Sequence, residues 1–279
     1  MAPRRREGFP PGVPCWVDVT VPNPPAAAAF YAGVFGWDLE EAVPGQVFVA
    51  RLDGLDVAGV GSPIKGAPPA PAWNTYIAVE DAGATAARVI EAGGQVLVAP
   101  VDVAGGAGRA AVCRDPAGAV FNLWQAGSRK GAELVNAPGT WNWSDLNTSD
   151  PAGAAAFYEA VFGWEASSVH IGEYEATMWR LPGYGDFREQ LEPGLRRRYA
   201  ERHAPEGFSD AIGWLLPLGA SDTPHWSVSF AVDDTDLAAR RTEVRGGRVL
   251  VAPHDLSSVR LAVLADPQRA VFTVTDFAL

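Results

Sequence analysis

Cysteine, histidine and positive charge are all scarce in this 279-residue chain. It has 2 Cys, 4 His and 22 Lys plus Arg against 33 Asp plus Glu. Cys15 and Cys113 stand far apart, so they form neither a metal-ligand spacing nor a disulfide framework. A reduced, cytoplasmic protein is the expectation. The formal charge of -11 argues against nucleic acid and anionic membranes as partners. No run approaches the ~18 apolar residues of a membrane span. The Arg4-Arg5-Arg6 run has no apolar segment behind it, so no signal peptide is expected. A Gly-rich phosphate loop, a nucleophile elbow and a Cys–His signature are also absent.

What is present is a repeat. Residues 11–37 (PGVPCWVDVTVPNPPAAAAFYAGVFGW) align without a gap to 138–164 (PGTWNWSDLNTSDPAGAAAFYEAVFGW), with 14 of 27 positions identical. Each copy reads as strand, turn, helix and exit. Asn23 and Asp150 suit an N-cap, each followed by proline. Ala27, Phe30, Tyr31 and Val34 recur at helical spacing. Gly36 and Gly163 sit where a left-handed cap closes a helix. On the opening strand Trp16, Asp18 and Thr20 share one face, as do Trp143, Asp145 and Asn147. A carboxylate beside a tryptophan at the same place in both copies suggests the wall of a polar cavity.

Further along, short strands are expected near 46–52 and 55–61, then a strand from Trp73 and a helix over 82–92 closed by Gly93-Gly94. Strands near 95–103, 108–114 and 119–125 complete the first half. The second half repeats this order, but the offset rises from 127 to 153, so it carries 26 extra residues within 182–211. Pro193-Gly194 should split this insert into two short helices. Its Arg196, Arg197, Arg198 and Arg202 suggest either a solvated brace or a lid over a cavity. The expected organisation is a flexible arm (1–12), a first domain (13–125), a linker (126–137) and a second domain (138–279) with the insert.

At these residues the chain resembles the vicinal oxygen chelate superfamily of glyoxalases, bleomycin-resistance proteins and extradiol dioxygenases. Asn23-Pro24 through Phe30-Tyr31 and Phe35-Gly36-Trp37 resemble its first helix motif, and Asp115-Pro116-Ala117-Gly118 its penultimate turn. The insert, with Pro182-Gly183-Tyr184-Gly185-Asp186-Phe187, resembles a tandem-domain actinobacterial subgroup labelled glyoxalase-like or hydroxylase. The resemblance implies an α+β fold of two tandem cup-shaped domains, four β-α-β-β-β modules in all. It also implies metal positions on the first, fifth and last strands. These fall on Trp16, Asn74 and Asn122 in one half, and on Trp143, Ser227 and Thr273 in the other. Such residues are poor ligands for Zn²⁺, Fe²⁺, Ni²⁺ or Mn²⁺, which prefer imidazole or carboxylate, so no metal or other cofactor is expected. Family members without metal use the cup as an aromatic-lined ligand cavity.

Ten tryptophans fit that use, because aromatic walls with a few polar groups make small-molecule sites. Trp16, Trp124, Trp143, Trp179 and Trp214 are expected to face a cup, with Asp18, Asn74, Tyr76, Asn122, Asn147, Ser227 and Thr273 as polar or mixed contacts. Arg51 and Arg180, matched between the halves, could meet an acidic ligand group or pair with surface carboxylates. His225 shares a strand face with Ser227, so Asp145 and His225 could form a carboxylate–imidazole base. The main expectation is metal-independent binding of a hydrophobic or aromatic small molecule in specialised metabolism, by a monomer or homodimer. The alternative is an enzyme using Asp145 and His225. A metal lyase or dioxygenase with atypical ligands is a third reading, with Asp18 or Asp145 as ligand.

Overall fold

The computed structural model describes residues 5–67, 71–171, 174–219, 221–256 and 259–277. The first half runs β1 (Pro14–Thr20), α1 (Pro24–Phe35), β2 (Asp38–Val43), β3 (Val47–Leu52), β4 (Leu55–Gly61), β5 (Ala72–Val79), α2 (Ala82–Glu91), β6 (Gln95–Val103), β7 (Gly108–Arg114) and β8 (Val120–Ala126). The second half runs β9 (Trp141–Thr148), α3 (Pro151–Phe162), β10 (Glu165–Ile171), β11 (Tyr174–Arg180), α4 (Tyr184–Leu191), α5 (Leu195–Glu201), β12 (Ala211–Pro217), β13 (His225–Ala231), α6 (Thr235–Val244), β14 (Arg248–Leu256), β15 (Val259–Ala265) and β16 (Val271–Phe277). Each half makes one eight-stranded sheet, ordered β2-β3-β4-β1-β5-β8-β7-β6 and β10-β11-β12-β9-β13-β16-β15-β14. This is the α+β arrangement of two tandem cups.

The local signals act as their chemistry requires. The Asn23 side chain accepts from the Ala26 amide at 3.2 Å, and Asp150 accepts from Gly153 at 2.9 Å. Gly36 and Gly163 close the helices at φ 78° and 73°, a region where a Cβ is strained. Pro193-Gly194 separates α4 from α5. One strand is absent from the sequence reading: β2, sequence DLEEAV, exposed at most positions. Its acidic residues have low strand propensity, and they keep an edge strand from pairing with other chains.

The apolar cores do not divide as the chain divides. One cluster joins α1 and β1 to Val228, Phe230, Ala238 and Phe272 of the second half. The other joins Phe121, Leu123 and α2 to Phe157, Tyr158 and Trp164. Each repeated helix thus packs across the molecule, and its tyrosine fastens it there. Tyr31 Oη donates to Asp266 Oδ2 at 3.1 Å and accepts from Trp73 Nε1 at 3.0 Å. Tyr158 Oη donates to Asp115 Oδ2 at 3.2 Å and accepts from Trp226 Nε1 at 3.0 Å. The other carboxylate oxygen of each Asp accepts two backbone amides of its own turn, those of Gly118 and Ala119 or of Gln268 and Ala270. The Phe-Tyr and Asp-Pro motifs of the repeat are therefore one device, built from both halves at once.

The segment expected as a flexible arm is docked from residue 5 onward. The buried Arg6 donates from its backbone to Glu133 O at 2.8 Å and from Nη1 to Tyr184 Oη at 3.0 Å. Arg5 pairs with Glu133. Residues 1–4 lie outside the described residues. The segment expected as a linker is likewise anchored, with Ala132 and Leu134 buried.

Tyr31→Phe or Tyr158→Phe leaves a buried indole N–H and a carboxylate oxygen short of a partner. Each is expected to cost about 1–3 kcal/mol, read by urea unfolding. Because the cores are shared, the wild-type protein is expected to melt in one cooperative transition. Two separated calorimetric transitions would contradict a shared core.

Candidate functional site

The concave faces of the two sheets line a cavity of ≈ 1220 Å³, with residues contributed from both halves. Strand alternation puts Trp16, Asp18 and Thr20 of β1, and Trp143, Asp145 and Asn147 of β9, on its wall. Asn74, Tyr76, Asn122, Trp124, Trp214, His225, Ser227 and Thr273 line it as well.

In the first cup the carboxylate is fully engaged. Asp18 Oδ1 accepts from Asn74 Nδ2 at 2.7 Å and Oδ2 from Tyr76 Oη at 2.6 Å. Asn74 Nδ2 also donates to Thr20 Oγ1 at 2.8 Å. Tyr76 meets Trp124 edge-on at 6.2 Å, and the Arg129 guanidinium lies over the Trp16 ring at 5.4 Å. Burial raises the Asp18 pKa, and the Tyr76 and Asn74 hydrogen bonds offset part of that rise.

In the second cup the carboxylate is nearly bare. Asp145 is buried, and its Oδ1 accepts from the Trp214 backbone amide at 3.0 Å. No side chain among the described residues donates to Oδ2. Burial pushes its pKa up to about 7, against the lowering effect of that single amide. Ser227 Oγ is turned away, donating to the Asp145 backbone carbonyl at 3.3 Å and accepting from Asn147 Nδ2 at 2.9 Å. Trp143 stands 6.0 Å from Phe208 and 6.2 Å from Trp214. Phe208 comes from the insert, so the insert borders this cup. It is braced by the buried Arg188, which donates to Tyr199 Oη and lies over the Tyr184 and Tyr199 rings. The arginines of α5 are spent on surface ion pairs, Arg196 with Asp186 and Arg198 with Glu192 among them.

Three expected contacts lie elsewhere. Trp179 is fully buried in the core against Tyr158 and Trp164, at 5.7 and 5.6 Å; one residue of strand register decides which side of the sheet it faces. Arg51 pairs with Glu40 and Asp56, and Arg180 with Glu165, so both guanidiniums sit at the outer strands and off the cavity wall. His225 is on the wall, but it stands opposite Asn147 while Asp145 stands opposite Ser227. Its Nδ1 lies 2.9 Å from Thr223 O, and no hydrogen bond joins it to Asp145. Sequence reasoning missed Phe208, Arg129, Ser229 and Gly59. Gly59 is visible only once β4 is aligned with β12, an alignment that the insert displaces.

The superfamily's metal chemistry can be tested against these donors. Each floor offers one carboxylate beside an indole on its first strand, with the amides of Asn74 and Asn122 or the hydroxyls of Ser227 and Thr273 on the other two expected strands. No group of three His, Cys, Asp or Glu comes together among the described residues. Both Asp18 oxygens are already committed. This donor set does not fit a Zn²⁺, Fe²⁺ or Mn²⁺ centre, which needs several imidazole or carboxylate ligands.

The raised pKa of Asp145 has a consequence for stability. Between about pH 4 and 7 the folded protein holds a proton there that the unfolded chain has released. This group therefore favours folding at low pH, and the advantage is lost as pH rises to about 7. Asp145→Asn is expected to be more stable than wild type above pH 7, by roughly 2–4 kcal/mol, with the difference vanishing toward pH 4. Urea unfolding across that range checks the sign. A pH-independent difference would mean that the group does not titrate there.

Comparison with known proteins agrees with the geometry. A profile of the Glyoxalase/Bleomycin resistance protein/Dioxygenase superfamily matches residues 15–123. CFP32 of Mycobacterium tuberculosis, a proposed glyoxylase, is 39% identical over 279 residues, covering 98% of this chain and 97% of its own. The anthracycline biosynthesis protein DnrV of Streptomyces peucetius is 33% identical, covering 96% and 94%. Among solved structures, the Mn(II)-bound glyoxalase of Novosphingobium aromaticivorans superposes with a TM-score of 0.61 at 19% identity, covering 95% of this chain and 82% of that one. No helix among the described residues is long and apolar enough to cross a membrane. The repeated helix motif, the two curled sheets and the full-length relatives agree: this chain belongs to the glyoxalase/bleomycin resistance protein/dioxygenase superfamily, in its tandem-domain form.

Proposed function

We propose that the protein binds a planar, hydrophobic aromatic small molecule in its cup cavity, without a metal, in a pathway of specialised metabolism. The observation that carries this reading is the cavity wall. Trp16, Trp124, Trp143, Trp214 and Phe208 line it among aliphatic side chains, while the positions that hold metal in the superfamily carry Trp, Asn, Ser and Thr. An aromatic wall with one carboxylate per cup suits stacking and hydrogen-bond orientation of a flat ligand. The relationship to a protein named for anthracycline biosynthesis supports a fused aromatic ring system as the ligand class. On this reading the protein works in the cytoplasm as a monomer or homodimer, with neither nucleic acid nor membrane as partner.

One observation favours a second reading, an enzyme. A buried carboxylate with pKa near 7 and one uncommitted oxygen, as at Asp145, is suited to general-base work at neutral pH. Here Asp145 acts alone, because His225 is bonded elsewhere.

Titration with 2-methoxyanthraquinone is expected to quench tryptophan fluorescence, and Trp143→Ala to weaken binding by about 10-fold. Elemental analysis is expected to find no stoichiometric Zn, Fe, Ni or Mn; about one per chain, lost together with binding on chelation, would overturn the metal-free reading. Prolonged incubation with a bound aromatic decides between binder and enzyme: recovery unchanged supports the first, and conversion that Asp145→Asn slows supports the second.

A further inference from the structure

The two cups descend from one repeat, so strand register allows each position of one floor to be compared with its counterpart in the other. Asn74 and Ser227 both stand opposite the aspartate, and Tyr76 and Ser229 both stand opposite the tryptophan. One strand further, Asn122 pairs with Tyr76, and Thr273 with Ser229. Trp124 and Thr275 correspond in the same way, opposite Ala78 and Ala231. At all four positions the first cup carries the larger side chain. On the other flank the difference reverses. Gly59 stands beside Asp18, and the extension of the β9–β12 pairing puts Trp214 beside Asp145.

These substitutions have one combined effect. In the first cup, Asn74 and Tyr76 reach Asp18 and occupy both of its oxygens. Gly59 lets the Trp16 indole settle against the strand. A Cβ there would lie 2.9 Å from Asp18 Cβ and 3.4 Å from Trp16 Nε1. The first cup's carboxylate is thus engaged by its own side chains. In the second cup Ser227 Oγ is bonded to the Asp145 backbone carbonyl and to Asn147 Nδ2, and neither Ser227 nor Ser229 bonds the carboxylate. Trp214 and Phe208 line the cavity beside Trp143, and among the described residues no side chain donates to Asp145 Oδ2.

We propose that the second cup is the working site, and that its ligand donates a hydroxyl hydrogen bond to Asp145 Oδ2. The ligand class is a planar aromatic carrying a phenolic hydroxyl. Asp145 lines the cavity with Oδ1 bonded to one amide, so Oδ2 is the carboxylate oxygen available to a ligand, and a hydroxyl there makes a hydrogen bond to a charged acceptor. A neutral hydroxyl fits better than an ammonium group. Asp145 is already desolvated in the free protein, and an ammonium group would add its own large desolvation cost there, which a neutral hydroxyl does not. The inference rests on the aromatic-ligand reading above and narrows it to one cup and one functional group.

The test compares 2-hydroxyanthraquinone with 2-methoxyanthraquinone and 2-(aminomethyl)anthraquinone by fluorescence and calorimetric titration. Wild type is expected to prefer the hydroxyl over the methyl ether by about 10-fold or more, the size of a hydrogen bond to a charged group, with the preference fading as pH falls below about 7 and Asp145 takes up a proton. Asp145→Asn is expected to reduce that preference to under about 3-fold. The double variant Ser227→Asn/Ser229→Tyr copies the first cup's two donors to the aspartate into the second, and is expected to abolish binding. If its melting curve shows that it does not fold, Ser229→Tyr alone serves, with Asp145→Asn as the second measurement. Binding of all three probes with equal affinity, tighter binding of the aminomethyl compound, or full affinity in the filled variant overturns the inference while leaving aromatic binding standing. Absence of binding by every probe overturns both.

Discussion

Tyr31 and Tyr158 carry the architecture. Each stands on the repeated helix of its own half and donates to an aspartate in the other half's penultimate turn. Each also accepts an indole N–H from its own half's fifth strand. Burial raises both tyrosine pKa values far above the ordinary range, and the neighbouring carboxylate raises them further. The phenols therefore remain donors under all ordinary conditions. The reciprocal crossing explains why the apolar clusters follow helix pairs across the molecule rather than the order of the chain. It also sets the two sheets in the arrangement from which both of their cups contribute to one cavity.

A rigid shared core leaves the concave faces free to diverge. A residue on the helix side of a strand is held by packing from both halves, where a change of a single methylene is felt. A residue on the cup side answers only to its neighbours on the wall. The repeat shows this division. Phe30, Tyr31, Phe35 and Trp37 recur on the helix side as Phe157, Tyr158, Phe162 and Trp164, whereas on the cup side only the first-strand Trp and Asp are kept, and Asn74, Tyr76, Asn122 and Trp124 are replaced by Ser227, Ser229, Thr273 and Thr275. Two aspartates at one repeat position thereby have opposite surroundings. Asp18 is enclosed by donors, and Asp145 meets one amide and open space. The insert belongs to the same divergence, because Phe208 adds an aromatic wall on the side of the open carboxylate.

The superfamily's solved members show that this cup can hold a metal, but a shared fold does not transfer a site. Here the described wall residues bring together aromatic rings and single carboxylates, and no group of three His, Cys, Asp or Glu. The Asp145–His225 base expected from a shared strand face fails by two residues of register, with the histidine bonded to Thr223.

Fold, repeat, caps and the resemblance were legible in the residues themselves, because they rest on local chemistry. Helical spacing, N-cap side chains and left-handed glycines act within a few positions of one another. The edge strand Asp38–Val43 escaped because its acidic residues carry no strand signal. Which side of a strand a tryptophan faces, as at Trp179 and Trp214, was decided by register set through neighbouring strands. Whether Arg51 met a ligand or Glu40 depended on which side chains the fold brought near. The contrast between Asp18 and Asp145 depended on tertiary structure most of all. Donors from other strands and the residue beside each carboxylate across the sheet determine its burial and bonding, and those partners meet only when the chain has folded.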